Sequence, residues 1–238
     1  LPQIENPVYR EFYQRKRREG DLIILDNGAY EMGETIDLEK MAAAIRFYNP
    51  HVAALPDFLL QDGERTFEAS RQFMAEIAPE FPNVKWMYIP QSVPGDLQGW
   101  WRWCNRGVKA FNPDWIGIPR ALATDVAMGP NAWLARVDAV EQLTMRGIKT
   151  HALGMANANL KELEFLFWEG CCSIDNSSPI WRGIKQHRLD LPQDIAMWDE
   201  HGCAVEFNWN GTVTAGVDHN IKHNMNIVNK ILNQPEIV

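Results

Sequence analysis

Along the chain, short apolar runs alternate with longer segments whose apolar residues recur at helical spacing. The runs predict strands at Leu22–Leu25, His51–Leu55, Trp86–Ile89, Trp115–Ile118, Thr150–Leu153 and Cys172–Ile174. Helices are predicted between them, most with a start or stop signal of their own. A first helix closes on the basic run Arg15-Lys16-Arg17-Arg18, Asp37 caps LEKMAAAIRFY, and GERTFEASRQFMAEIA follows the second strand. Asp96 opens DLQGWWRWCNRGV, while NAWLARVDAVEQLTMRG and NLKELEFLFWEG both close on a glycine. Strand then helix, repeated, is the pattern of an α/β protein with a parallel sheet.

The strand ends run from Asp26 through Asp57, Gln91, Gly117 and Gly154 to Asp175, spaced by about thirty residues, one βα unit each. Polar residues follow most of the strands instead of gathering at one crossover. That distribution favours a (β/α)8 barrel of the TIM type, reduced or irregular at its N- and C-terminal ends, over a doubly wound sheet. Beyond Asp175 the pattern weakens. DLPQDIAMWDEHG reads as a helix, CAVEFNWNGTVTAG as extended segments around Asn210-Gly211, and the tail from Asp218 as a last helix. No linker or low-complexity segment interrupts the chain, so one domain over residues 1–238 is expected.

Composition narrows the function more than the fold. Lys and Arg number 23 against 31 Asp and Glu, a net charge of −8, which counts against a protein that binds nucleic acid through a broad basic surface. A local basic footprint remains open: Arg15 to Arg18 is either a solvated helix terminus or a nucleic-acid contact. The four cysteines, Cys104, Cys171, Cys172 and Cys203, form no CxxC pair and look like reduced thiols of a cytoplasmic protein. No run has the length of a membrane span, and no signal-peptide core is present. The chain starts at Leu1 without methionine, so N-terminal sequence is expected to have been removed. Neither GxGxxG nor GxxxxGK[ST] occurs, so no nucleotide cofactor is indicated. His219 and His223 stand four apart on the last predicted helix with no convincing further ligands, and are expected to be a surface pair with no metal.

The strand termini read ILDNGAY, ALPDF, YIPQS, IGIPR, HALGM and SIDNSSP. A lone carboxylate after a strand is most often a cap or a turn former, and Asp26-Asn27-Gly28 taken alone is a turn. Three aspartates at the ends of parallel strands are harder to dismiss, because in a barrel they face one mouth, where chemistry is usually carried. The tryptophans at 100, 101 and 103 have helical spacing and are expected to be core plus rim.

As an ordered set, these termini resemble the tRNA-guanine transglycosylase superfamily, whose members are (β/α) barrels that exchange a guanine in a polynucleotide for a 7-deazaguanine. LDNGAY looks like its Asp-Ser-Gly-Gly-Tyr/Phe motif, LPDF like Phe-Asp-Glu, YIPQS like Val-Gln-Gly, IGIPR like Gly-Gly-Leu and HALGM like Leu-Met-Gly. SIDNSSPIWR resembles the strand Phe-Asp-Cys-Val-Leu-Pro-Thr-Arg. The resemblance covers residues 22–183. It implies that Asp175 is the nucleophile at the sugar carbon and Asp26 the general acid/base. It implies that Asp57 and Gln91 bind the heterocycle with backbone groups at Gly117 and Ile118, and that Tyr30 and Leu153 sandwich it. Asn27 and Gly154 complete the pocket, and Arg182 meets a backbone phosphate. Two carboxylates of different protonation suit an oxocarbenium-like displacement at an acetal-like carbon, and the target nucleotide must leave its stack.

The chain departs from the family pattern in three places. The tRNA enzymes carry a zinc site of three cysteines and a histidine near the C-terminus, whereas only Cys203 lies in that region here. Little sequence precedes the first motif, and the step from Asp175 to Arg182 is one residue longer than in the family. These departures resemble the DNA-modifying branch, often found in bacteriophages, which inserts bases such as 7-cyano-7-deazaguanine. DNA is therefore expected as the substrate over tRNA, in a cytoplasm (the host's, if phage-encoded), with no membrane partner. Two alternatives stay open: a glycoside or nucleoside hydrolase using Asp26 and Asp175, and a catalytically inactive barrel that binds nucleic acid.

Overall fold

The computed structural model describes residues 6–29, 37–155, 160–175, 179–180, 182, 189 and 215–233. Contacts concentrate within two compact units, Leu1–Ala132 and Trp133–Val238.

The first unit opens with α1 (Pro7–Glu19). Asn6 caps it by accepting the N–H groups of Val8 and Tyr9, and Gly20, at φ 92°, ends it. Three parallel pairings then build a sheet in chain order from β1 (Ile24–Leu25), β2 (Val52–Ala54), β3 (Lys85–Tyr88) and β4 (Trp115–Pro119). The register sets Leu25 beside Ala53, Ala54 beside Met87 and Tyr88 beside Ile116. Helices α2 (Leu38–Tyr48), α3 (Gly63–Glu76) and α4 (Leu97–Phe111) fill the crossovers, with Asp37, Asp62 and Asp96 as their N-caps. Four parallel strands in unbroken order, with no reversal, are arranged as in half of a (β/α) barrel and lack the switch point of a doubly wound sheet.

Two expectations are refined here. The first strand is shorter than its apolar run: Leu22 is exposed, and only Ile24 and Leu25 pair with β2. The basic run at the end of α1 is largely engaged within the protein. Lys16 pairs with Glu19 and Asp21, while Arg17 donates to the Asn49 carbonyl and contacts His51. Trp100 and Trp103 are buried and Trp101 lies half-exposed beside Trp100, giving the expected core and rim.

The second unit carries α5 (Leu134–Met145), β5 (Lys149–Leu153), α6 (Leu160–Trp168), β6 (Ser173–Asp175) and α7 (Ala215–Leu232). Strands β5 and β6 are parallel, with His151 beside Ser173 and Leu153 beside Asp175. Gly147 and Gly170, both at positive φ, follow α5 and α6 as the C-terminal signals predict. Helix α7 begins at Ala215 instead of Asp218, and its Val228 and Ile231 join Met155, Leu163 and Leu189 in a core. The segments DLPQDIAMWDEHG and CAVEFNWNGTVTAG lie outside the described residues, apart from a helical start at Ala215-Gly216. No helix among the described residues is long and apolar enough to cross a membrane. The coarse class is α/β, with parallel strands alternating with helices.

Candidate functional site

In the first unit, the ends of β1, β2 and β3 bring together Asn27, Asp57 and Gln91. All three are buried, with Asp57 4% exposed. Asn27 Nδ2 donates to Asp57 Oδ1 at 2.6 Å and to the Leu55 carbonyl at 2.7 Å, while Gln91 Nε2 donates to Asp57 Oδ2 at 2.5 Å. The carboxylate thus receives an amide on each oxygen. Burial nevertheless raises its pKa to about 7, and the neighbouring charge of Asp26 pushes the same way against the two amide hydrogen bonds. Near neutrality Asp57 is poised between acid and carboxylate. Gln91 Oε1 is buried and has no hydrogen-bond partner among the described residues. A buried acceptor in that state calls for a donor beyond the described residues.

Asp26 performs the turn chemistry its sequence suggested, accepting the Gly28 N–H at 3.0 Å, with Gly28 at φ 77°. It is half-buried, and its charge is felt by Asp57 and by the phenol of Tyr9, whose pKa is raised mainly by burial. Gly117 and Ile118 are buried on β4, so any contact there would be through backbone. Tyr30 lies outside the described residues.

Gly63, the first residue of α3, braces the same strand end. A Cβ there would overlap Trp103 Cδ1 and the Gln91 carbonyl oxygen, which is backbone and cannot swing away. Gly63→Ala is expected to cost about 1–3 kcal/mol by overpacking and to displace Gln91, read as a lower Tm.

In the second unit, Asp175 ends β6 with its side chain 61% exposed. Its Oδ1 accepts the Gly154 N–H at 2.6 Å, and that N–H also reaches the Asp175 carbonyl at 3.1 Å. His151 is buried, with Nδ1 2.7 Å from Ser173 Oγ and Nε2 3.9 Å from Asp175 Oδ1. Leu153 and Gly154 therefore lie beside Asp175. Arg182 is 7% exposed, and burial lowers its pKa. Asn176, Ser177 and Ser178 lie outside the described residues.

No protein-family model matches the chain. No curated protein matches it either. Among solved structures it is similar to a mutant form of methylaspartate ammonia lyase from Clostridium tetanomorphum, with a TM-score of 0.45 and 14% identity. The likeness covers 96% of this chain and 48% of that one, so the chain spans about half the length of that protein. A likeness at this level carries neither activity nor site.

The sequence did not single out the partners that hold these groups. Arg136 and Glu162 form a buried ion pair beside Gly154, and His151 stands next to Asp175. One signal for Arg136 is its place on the apolar stripe continued by Val140 and Leu143. His219 is exposed and His223 half-buried, and no cluster of three metal-binding side chains occurs among the described residues.

Proposed function

We propose that the chain is a base-exchange transglycosylase that replaces guanine in a polynucleotide, DNA before tRNA, with a 7-deazaguanine such as 7-cyano-7-deazaguanine. The observation that carries this reading is the buried Asn27–Asp57–Gln91 set at three successive strand ends. A carboxylate held there accepts from a ring N–H and an exocyclic amine together, which guanine and its 7-deaza relatives present and adenine does not. Gln91 Oε1 offers a further acceptor for the same amine.

In this reading Asp175 attacks the sugar anomeric carbon and the bond to guanine breaks. The departing base takes a proton from Asp26, leaving a covalent sugar–Asp175 ester. Asp26 then removes a proton from the incoming deazaguanine, whose ring nitrogen displaces Asp175, so the two inversions retain configuration. The exposed position of Asp175 suits attack on a nucleotide turned out of its stack. Leu153 and Tyr30 would flank the ring, and Arg182 would meet a phosphate if its guanidinium faces the bound strand.

The same exposure favours a second reading, hydrolysis, in which water takes the place of the incoming base. The experiment is incubation of guanine-containing DNA, and separately tRNA, with labelled 7-cyano-7-deazaguanine. Label is expected in DNA, with one guanine released per base incorporated. Guanine release without uptake would identify a hydrolase. Neither release nor uptake with either polymer would refute the enzymatic reading.

A further inference from the structure

The second unit buries an ion pair completely. Arg136 of α5 and Glu162, in the first turn of α6, are both fully buried, with Nη1 2.6 Å from Oε1. Taking two such charges out of water costs several kcal/mol per ion, and apolar side chains of similar volume often hold helices together as well or better. Packing therefore leaves the pair unexplained. The other arm of the guanidinium does what no apolar side chain can. Its Nη2 donates to the Gly154 carbonyl at 2.9 Å and, more weakly, to the Leu153 carbonyl at 3.4 Å. The peptide joining Leu153 to Gly154 thus has its carbonyl on a buried cation and its N–H on the Asp175 carboxylate. Hydrogen bonds at the two ends of one amide polarise each other in the same sense. Gly154 makes the bend at φ 70°, a conformation that residues with a Cβ seldom adopt.

We propose that the buried Arg136–Glu162 pair is a positioning device for Asp175, acting through the Leu153–Gly154 peptide. The inference rests on the reading of Asp175 as nucleophile and deepens it. An exposed carboxylate on the last residue of a three-residue strand would otherwise sample several rotamers. The amide clamp selects one of them and fixes Leu153, the proposed platform for the base, at the same time. A reacting atom misplaced by about 1 Å loses on the order of 10²-fold in rate, which sets the size of the effect.

The test uses the full chain carrying Arg136→Met with Glu162→Leu. Both charges leave together and the volume is roughly kept, so the variant is expected to fold with a Tm near that of the parent. Leu153 and Gly154 are themselves half-buried, and the variant takes from their carbonyls the donor that Nη2 supplies. Two readouts are taken. The Gly154 amide proton, followed by NMR, is expected to move upfield and lose protection from exchange. The covalent adduct with a guanine-containing oligonucleotide is expected to form about 100-fold more slowly. Arg136→Lys keeps the charge without the fork and is expected to fall between the two; it carries the comparison should the double variant not fold. An unmoved Gly154 signal, or a parental adduct rate in a folded variant, overturns the proposal. A parent that forms no adduct, with a Gly154 signal that shifts in the variant, removes the nucleophile reading and leaves the clamp standing.

Discussion

Asp175→Asn is expected to abolish base exchange and adduct formation, by about 10⁴-fold or more, while a free guanine-like base still binds. Asparagine keeps the shape of aspartate, and its amide oxygen can still accept the Gly154 N–H that Oδ1 accepts now. The fold around β6 should therefore survive, the more so because the side chain is mostly exposed and its charge is not buried against a partner. What is lost is the negative oxygen that forms the sugar ester. A denaturing gel after mixing with an oligonucleotide reads the adduct, and calorimetry with the free base reads the binding. Turnover near that of the parent would take the role from Asp175 and leave Asp26, half-buried beside Asp57, as the nucleophile to test next.

Chemistry settled within a few residues was legible along the chain. Asp37 and Asp96 were legible as caps because capping is settled within a turn of the helix, and each accepts the N–H groups its position predicts. All six strands were legible from their apolar runs, and parallel pairing followed from the helices between them. Leu22 was misjudged: the run continues through it, but β1 has only β2 beside it among the described residues and pairs over two positions. At the site, the sequence named Asn27, Asp57 and Gln91 but not their mutual hydrogen bonds, and it could not rank the aspartates by environment. Asp57 is buried and Asp175 exposed because of packing between elements far apart in the chain. Asp26 shows why a turn former and a catalytic carboxylate look alike, since its Gly28 contact is the one any turn aspartate makes. The Arg136–Glu162 pair depends on two helices meeting, and spacing within either one does not reveal it.

Affinity for a guanine-like base is expected to rise about tenfold per pH unit up to pH 7 and to level off above it. The reasoning starts from Asp57, whose burial in the folded protein lifts its pKa from 3.8 to about 7. A base that donates two hydrogen bonds needs the ionised carboxylate, so below pH 7 only the deprotonated fraction is competent, and the apparent Kd grows as that fraction shrinks. Between pH 8 and pH 5 the loss is about 100-fold. Stability must move the opposite way. The folded state holds this proton more tightly than the unfolded chain does, so the contribution is complete below about pH 4 and is lost as pH rises through 7, on the order of 4 kcal/mol. The free protein should therefore be least helped by Asp57 where it binds best, and bound base should offset that loss by binding the folded state in its ionised form. Asp57→Ala is expected to weaken binding by about 2–5 kcal/mol and to flatten both profiles between pH 4 and 7. Calorimetric titrations across pH 5 to 8, with thermal melts alongside, read the two trends in one protein. Binding that tightens as the pH falls would mean that the neutral acid donates to the base, and the buried carboxyl would then be selecting an acceptor edge in place of the donor pair of guanine.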